Sequence, residues 1–203
     1  MMAVALRYEQ VAGYAPLSLS IPGLTEKQFI EWTQRFPDFR LEYSADGELI
    51  IMPGTSLETG ERNSEITRQL GNWTLADGRG RSYDSSTSFF LPSGARLSPD
   101  ASWVLRDRKH AVQRPGVTFP MLAPDFVIEL KSPSDRLKKL AAKMEEWIEN
   151  GVQLGWLIDP EKQTVIIYRP GRAPETMLKP TKVAGEGPVA GFTLDLGSVW
   201  NAD

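Results

Sequence analysis

The sequence predicts one mixed α/β domain, and three features lead there. A β-hairpin signal precedes a long amphipathic segment, a compact apolar run at 126–130 is broken only by Glu129, and a second amphipathic helix follows that run at once. At 203 residues the chain is long enough for one well-cored domain, and 41% hydrophobic with 24% charged residues is the make-up of an ordinary globule.

The elements follow in order. Residues 24–36 read as a helix: Thr25 suits the N-cap, Gln28 completes a capping box, and Phe29, Ile30 and Trp32 supply apolar positions. Segments 40–42 and 48–52 predict a hairpin turning on Asp46-Gly47, with Glu42 on its first strand. A helix is expected over about 55–76, sending Ile66, Leu70, Trp73 and Leu75 toward a core, before Gly78 and Gly80 break the chain. Strand character follows at 81–91 and 101–105, joined by the turn-rich Pro92-Ser93-Gly94. Residues 106–124 read as a charged, Pro-rich loop placed to border a substrate groove. The 126–130 run reads as a central strand leading into Lys131 and Ser132. Next comes an amphipathic helix over 135–150, with Asp135 as N-cap, Leu137, Leu140, Ala141, Met144 and Ile148 on one face, and Gly151 as its stop. Segments 154–158 and 164–169 form a second hairpin around Asp159-Pro160, with Trp156 in the core, and the tail offers one short strand near 192–196.

Composition removes several chemistries. There is no cysteine, so disulfides, thiolate metal sites and a cysteine nucleophile are excluded together, and a reducing, cytoplasmic setting is the natural expectation. One histidine, His110, in a charged loop, leaves little with which to build a histidine zinc site or a Ser-His-Asp triad. Residues 1–22 lack the pattern of a secretory leader, and no apolar stretch approaches the roughly 20 residues of a membrane helix. A net charge of -3 gives no global attraction to nucleic acid, yet residues 131–143 carry five bases against one acid, Asp135. A solvated helix face explains such a run equally well.

The candidate chemistry sits on the central strand. Alternate strand residues share a face, so Glu129 and Lys131 project together while Ile128 and Leu130 point the other way. Charge on an otherwise apolar strand needs a partner or a metal. A strand-end Glu/Lys pair near solvent satisfies that need, and so does a cation site. Mg²⁺ takes oxygen ligands, commonly one or two carboxylates with water and phosphate completing the shell, and such an ion suits phosphodiester hydrolysis. Two Pro-Asp pairs offer a second carboxylate. Asp125 shares strand parity with Glu129 but lies about 13 Å along the strand, too far for one ion, whereas Asp100 comes from another strand and can lie beside it. Lys131 would orient or deprotonate the attacking water, and the Leu130 carbonyl is a further candidate ligand.

Asp100 followed by Glu129-Leu130-Lys131 resembles the PD-(D/E)XK signature of restriction-endonuclease-like enzymes, and the order of elements is similar to theirs. More narrowly, the stretches 46–53, 97–100, 124–135 and 155–160 resemble the bacterial Uma-two family, over roughly residues 24–170, which leaves 171–203 as a tail of a single 1–203 domain. The resemblance implies a restriction-endonuclease-like core with a central mixed sheet flanked by helices. It also implies Asp100, Glu129 and Lys131 as the metal and catalytic residues and Glu42 as a further acidic member; Glu65 on the second helix is an additional candidate, with a solvent-facing helical acid as the favoured alternative. Lys143 and Trp147 stand where some nucleases of this fold carry a Gln-x-x-x-Tyr motif; Lys143 is a candidate phosphate contact and Trp147 a packing residue.

The leading expectation is a Mg²⁺- or Mn²⁺-dependent endonuclease acting on DNA, homodimeric by analogy, with the positive helix from Arg136 to Lys143, and Lys138, Lys139 and Lys143 on it, drawing in the backbone. The alternative is a non-catalytic nucleic-acid-binding or regulatory protein on a nuclease fold. A glycosidase reading lacks aromatic sugar platforms beside Asp100 and Glu129.

Overall fold

A computed structural model of the chain describes residues 16–117 and 119–201. Most of the segment read for a leader, residues 1–15 of 1–22, lies outside the described residues.

The first layer is a five-stranded sheet. It comprises β1 (Leu17–Ser20), β2 (Arg40–Tyr43), β3 (Glu48–Met52), β5 (Phe89–Phe90) and β6 (Arg96–Leu97) in the order β1-β3-β2-β6-β5. The second is six-stranded: β4 (Gly80–Asp84), β7 (Ala101–Leu105), β8 (Phe126–Leu130), β9 (Leu154–Asp159), β10 (Thr164–Tyr168) and β11 (Glu175–Leu178), in the order β11-β10-β9-β8-β7-β4. Only the central β8–β9 pair of this sheet is parallel; it is crossed over by helix α4 (Leu137–Glu149). The remaining helices are α1 (Glu26–Arg35), α2 (Leu57–Asp77), α3 (Arg106–Val112) and α5 (Gly197–Trp200), and β12 (Lys182–Ala184) pairs with β13 (Thr193–Asp195). The mixed central sheet flanked by helices is the architecture the sequence predicts.

Two faces of the large sheet bury different partners. Phe126, Ile128 and Leu130 of β8 and Trp156 of β9 pack with Ile66 and Leu70 of α2 and with Val189, Phe192 and Leu194 near the C-terminus. The segment beyond residue 170 therefore helps to form the main core. Val127, Leu157 and Gly155 face α4, where Met144 and Trp147 are fully buried. The strand alternation read from 126–130 thus sorts real faces, and it turns Glu129 toward α4.

Local rules account for several elements. Thr25 caps α1 and Gln28 reaches back to its backbone, closing the expected box. Ser56 caps α2, and Gly78 ends it in the left-handed conformation with φ 73°.

Four expectations need correction. Leu75 is exposed: the inward stripe of α2 runs through Ile66, Leu70 and Thr74, and one residue further turns the helix by about 100°. The 81–91 segment splits, with β4 and β5 in different sheets and the short strand β6 after the turn. Residues 106–112 of the expected loop form α3, fixed by Arg108 to Asp125 at 2.6 Å and by Arg106 donating to the Gly78 carbonyl at 2.6 Å. Asp135 does not cap α4; its carboxylate takes the Ser132 N–H at 2.8 Å and hydroxyl at 2.6 Å, leaving Arg136 as an N-cap without a side-chain bond.

Candidate active site

A deep cleft opens between the five-stranded sheet and α4, floored by the ends of β7 and β8. Among the described residues none of the 106–124 segment lines it, so that segment does not border the groove as expected; its helix α3 packs beside β4 and β7 instead.

Antiparallel β7 and β8 place Ala101 opposite Ile128, and one step further sets Asp100 opposite Glu129. Asp100 Oδ2 accepts the Leu130 N–H at 2.8 Å, and Asp100 Oδ1 accepts from Asn63 Nδ2 of α2 at 3.1 Å. Glu129, 3% exposed, accepts from Trp147 Nε1 at 2.8 Å. Glu42 of β2 is buried; its Oε1 accepts the Ser98 N–H at 3.2 Å. Three carboxylates expected from sequence are therefore gathered at one cleft floor.

The amine among them is that of Lys143. Its Nζ lies 3.0 Å from Glu129 Oε1, 3.1 Å from Glu42 Oε1 and 2.9 Å from the Ser98 carbonyl. Lys131 points elsewhere: its Nζ donates to the Ser132 carbonyl and to Glu161 Oε2, each at 3.3 Å. Among the described residues no ion pair joins Lys131 to Asp100, Glu129 or Glu42. The strand ends at Leu130, so the parity argument that aims Lys131 with Glu129 stops holding one residue too soon. Glu65 also stays away from the acids, paired with Arg68 at 2.6 Å and Gln69 at 2.9 Å; Asn63 is the residue of α2 that reaches Asp100. Of the three basic residues expected to meet nucleic acid, Lys139 and Lys143 line the cleft and Lys138 does not.

Sequence reasoning missed Arg40 and Asn63, which also line the cleft, as does Arg136 of the expected basic helix. Arg40 and Asn63 reach the acids only through packing of distant segments. Arg136 was visible within the basic run around α4, where a helical wheel separates cleft-facing Arg136, Lys139 and Lys143 from Lys138.

Burial sets the electrostatics. It pushes the Glu129 carboxyl up to about 7; the Lys143 ammonium pulls the other way, while Asp100 and Glu42 add to the rise. Burial likewise raises Asp100, against the Leu130 N–H, Lys143, Arg40 and Asn63. For Lys143, burial favours the neutral amine, but the carboxylates of Glu129, Glu42 and Asp100 outweigh it and raise its pKa, so the group is an ammonium.

Among the described residues no cluster of three or more His, Cys, Asp or Glu side chains is gathered at metal-binding spacing. The donor chemistry nevertheless suits a hard divalent ion, since Mg²⁺ asks the protein for one or two carboxylates and takes water for the rest. Asp100 and Glu129, neighbours across the ends of β7 and β8 and both raised first by burial, gain from any added cation.

The sequence matches the Uma2 (Uma-two) profile, described as "Putative restriction endonuclease", over residues 27–197. The chain belongs to the Uma2 family. A solved structure described as a "putative nuclease belonging to DUF820 from Anabaena variabilis ATCC 29413" is similar at 23% identity and TM-score 0.68, covering 79% of this chain and 89% of that one. That likeness places this Uma2 chain in the same fold. The DrdV–DNA complex, solved by cryo-electron microscopy, is similar at 11% identity and TM-score 0.37, over 60% of this chain and 12% of its own. No curated protein matches the sequence. Uma2 membership extends beyond residue 170, in keeping with the packing of the C-terminal segment into the main core.

Proposed function

We propose that this Uma2 protein is a Mg²⁺- or Mn²⁺-dependent nuclease that hydrolyses DNA phosphodiester bonds, with Asp100 and Glu129 as metal-holding carboxylates. The observation that carries the reading is the convergence of Asp100, Glu129, Glu42 and Lys143 at the floor of one cleft, supplied by four separate segments. A fold has no structural need for four ionisable groups in one buried spot, and their desolvation is costly unless they serve a ligand.

Asp100 and Glu129 would hold the ion, and the Leu130 carbonyl is the remaining protein oxygen assigned to it. Bound there, a divalent ion supplies Lewis-acid polarisation of the phosphoryl group and a water acidic enough to attack at neutral pH. Glu42 keeps Lys143 in register beside the acids. The Lys143 ammonium offers three N–H donors to negative charge that grows on the phosphoryl oxygens, at a site where water is largely excluded. Lys143 therefore takes the place among the acids that the motif resemblance gives to Lys131, as a charge-stabilising ammonium and not as a base. Trp147 fixes the Glu129 carboxylate through Oε1, and the Lys143 ammonium spans both of its oxygens, at 3.0 Å from Oε1 and 3.2 Å from Oε2. Arg136 and Lys139 at the cleft rim suit phosphate contact.

The test is cleavage of supercoiled and linear DNA by purified protein, with Asp100→Asn and Lys143→Met alongside. Metal-dependent cutting by the wild type, lost in both folded variants, supports the reading. A folded wild type that leaves DNA intact in Mg²⁺ and Mn²⁺ sinks it.

A further inference from the structure

We propose that the cleft is one-ended and that its substrate is nucleic acid with a single-stranded tail, which enters at the N-terminal end of α4 and is cut near its terminus. The proposal rests on the nuclease reading for the cut, but not for the binding.

Two contacts fix how β2 runs along α4. Ala45 N–H donates to Glu146 Oε1 at 3.0 Å, and Glu42 Oε1 meets Lys143 Nζ at 3.1 Å. Moving down β2 from Ala45 to Arg40 therefore moves along α4 from Glu146 toward Arg136, with the carboxylate floor between the two ends.

The ends differ in charge. Around the Ala45–Glu146 contact the cleft is lined by Asp46, Glu48, Glu145, Glu146 and Glu149, and among the described residues no lysine or arginine lines that end. The Glu48 carbonyl accepts the Ser44 N–H at 2.9 Å, which keeps Glu48 at the turn of the hairpin. The opposite end is lined by Arg40, Arg136 and Lys139. Two acids also lie there, Asp38 and Asp135, so that end carries three bases against two acids while the other carries five acids.

The acidic end is also closed by direct contacts. The acidic end is bridged twice between the small sheet and α4, by the Ala45–Glu146 bond and by Ser93 N–H donating to Asn150 Oδ1 at 2.9 Å.

Phosphates are drawn to lysine and arginine and repelled by like charge over a Debye length of about 8 Å at physiological salt. A backbone lying across Arg136 and Lys139 is thus led to Glu129 and then meets a bridged wall with five carboxylates. A duplex running the length of the cleft meets that wall with both strands. A single-stranded tail stops before it, and its flexibility lets one phosphodiester reach carboxylates as buried as Glu129 and Glu42, at 3% and 2% exposure.

The test uses one DNA sequence in four forms: a linear single strand, the same strand covalently closed, a blunt duplex and a duplex with a single-stranded tail. Binding is read by fluorescence anisotropy in Ca²⁺, and cutting by product length in Mg²⁺ and in Mn²⁺. The tailed duplex and linear strand should bind at least about ten-fold tighter than the closed circle and blunt duplex, and should lose short oligonucleotides from the tail. Arg136→Glu with Lys139→Glu should abolish the preference. Glu145→Lys with Glu149→Lys, which removes charge from the wall, should raise binding of the closed circle toward that of the linear strand.

Equal binding of circle and linear strand by the wild type overturns the proposal, as does a tail preference untouched by both double variants. If tailed DNA binds preferentially and nothing is cut in either metal, the one-ended cleft stands and the nuclease reading falls. If no form binds, both fall.

Discussion

Trp147 Nε1 donates a 2.8 Å hydrogen bond to Glu129 Oε1, joining the fully buried face of α4 to the one acid of β8. Lys143, one helical turn earlier, meets the same carboxylate at 3.0 Å. Helix α4 therefore does two jobs with adjacent turns, covering the sheet and presenting a donor and a cation to its acid.

Trp147→Phe keeps a large ring and removes the donor. A lost hydrogen bond to a charged acceptor is worth about 1.5–3 kcal/mol, so the variant should unfold at clearly lower denaturant in titrations without metal. Metal affinity should drop about 10-fold or more, because an acid freed from its outer partner is no longer held in place. Unchanged Mn²⁺ affinity by calorimetry would show that Glu129 needs no such anchor.

The pH dependence has a definite sign. Glu129 titrates at about 7 in the folded protein, far above the ordinary glutamate range, mainly through burial and against the pull of Lys143. Between about 4.5 and 7 the folded chain keeps a proton that the unfolded chain has released, so this group's contribution to stability falls as pH rises across that window and is level above it. Asp100, also raised by burial, acts in the same direction. Metal binds the deprotonated forms, so Mn²⁺ affinity should climb as pH rises toward and through 7. Urea midpoints measured from pH 5 to 8, with and without Mn²⁺, check both slopes. The Glu129→Gln variant should lose most of each.

Lys143→Met and Lys131→Met separate the two lysines. Removing the Lys143 ammonium leaves Glu129 and Glu42 without their cation, so a divalent ion should bind Lys143→Met several-fold more tightly while cleavage drops about 100-fold or more. Lys131 is paired with Glu161, whose side chain is 77% exposed, and surface pairs of that kind contribute about 1 kcal/mol or less. Lys131→Met should therefore keep cleavage within about 10-fold. Single-turnover rates on one DNA substrate decide the matter, and the reverse ranking would return the amine role to Lys131.

Much of this site was legible in the strand pattern. Glu129 breaking an apolar run, and Asp100 as the acid able to lie beside it, both follow from period-two alternation and the length of a strand residue. Lys131 misled because parity persists only while the strand does, and β8 ends at Leu130. Lys143 carried a signal of its own: it interrupts the apolar face formed by Leu140, Met144 and Trp147, as Glu129 interrupts β8. Arg40 and Asn63 carried none, since they meet Asp100 only once the hairpin and α2 are folded onto the sheet. The helix α3 was hidden by its charge, because it is held by Arg108–Asp125 and not by an apolar stripe.

Gly80 gives a test of the fold alone. A Cβ there would sit 2.2 Å from Trp103 Cζ2 and 2.6 Å from the Val104 carbonyl oxygen, and Trp103 is fully buried. Neither neighbour has room to retreat. Gly80→Ala should cost about 3 kcal/mol in chemical denaturation, near the upper end of overpacking effects. A loss below about 1 kcal/mol would contradict this packing of β4 against β7.

The claim on which the rest depends is that Asp100 and Glu129 form a divalent-cation site and not only an ion pair with Lys143. Thermal unfolding of wild type and Glu129→Gln across a Mn²⁺ titration tests it without any substrate. A ligand at about 100 times its dissociation constant adds about 2.7 kcal/mol to stability, so the wild-type Tm should rise by several degrees and go on climbing with the logarithm of Mn²⁺ concentration while the variant stays flat. A wild-type Tm indifferent to Mn²⁺, or an equal rise in both proteins, would contradict the account.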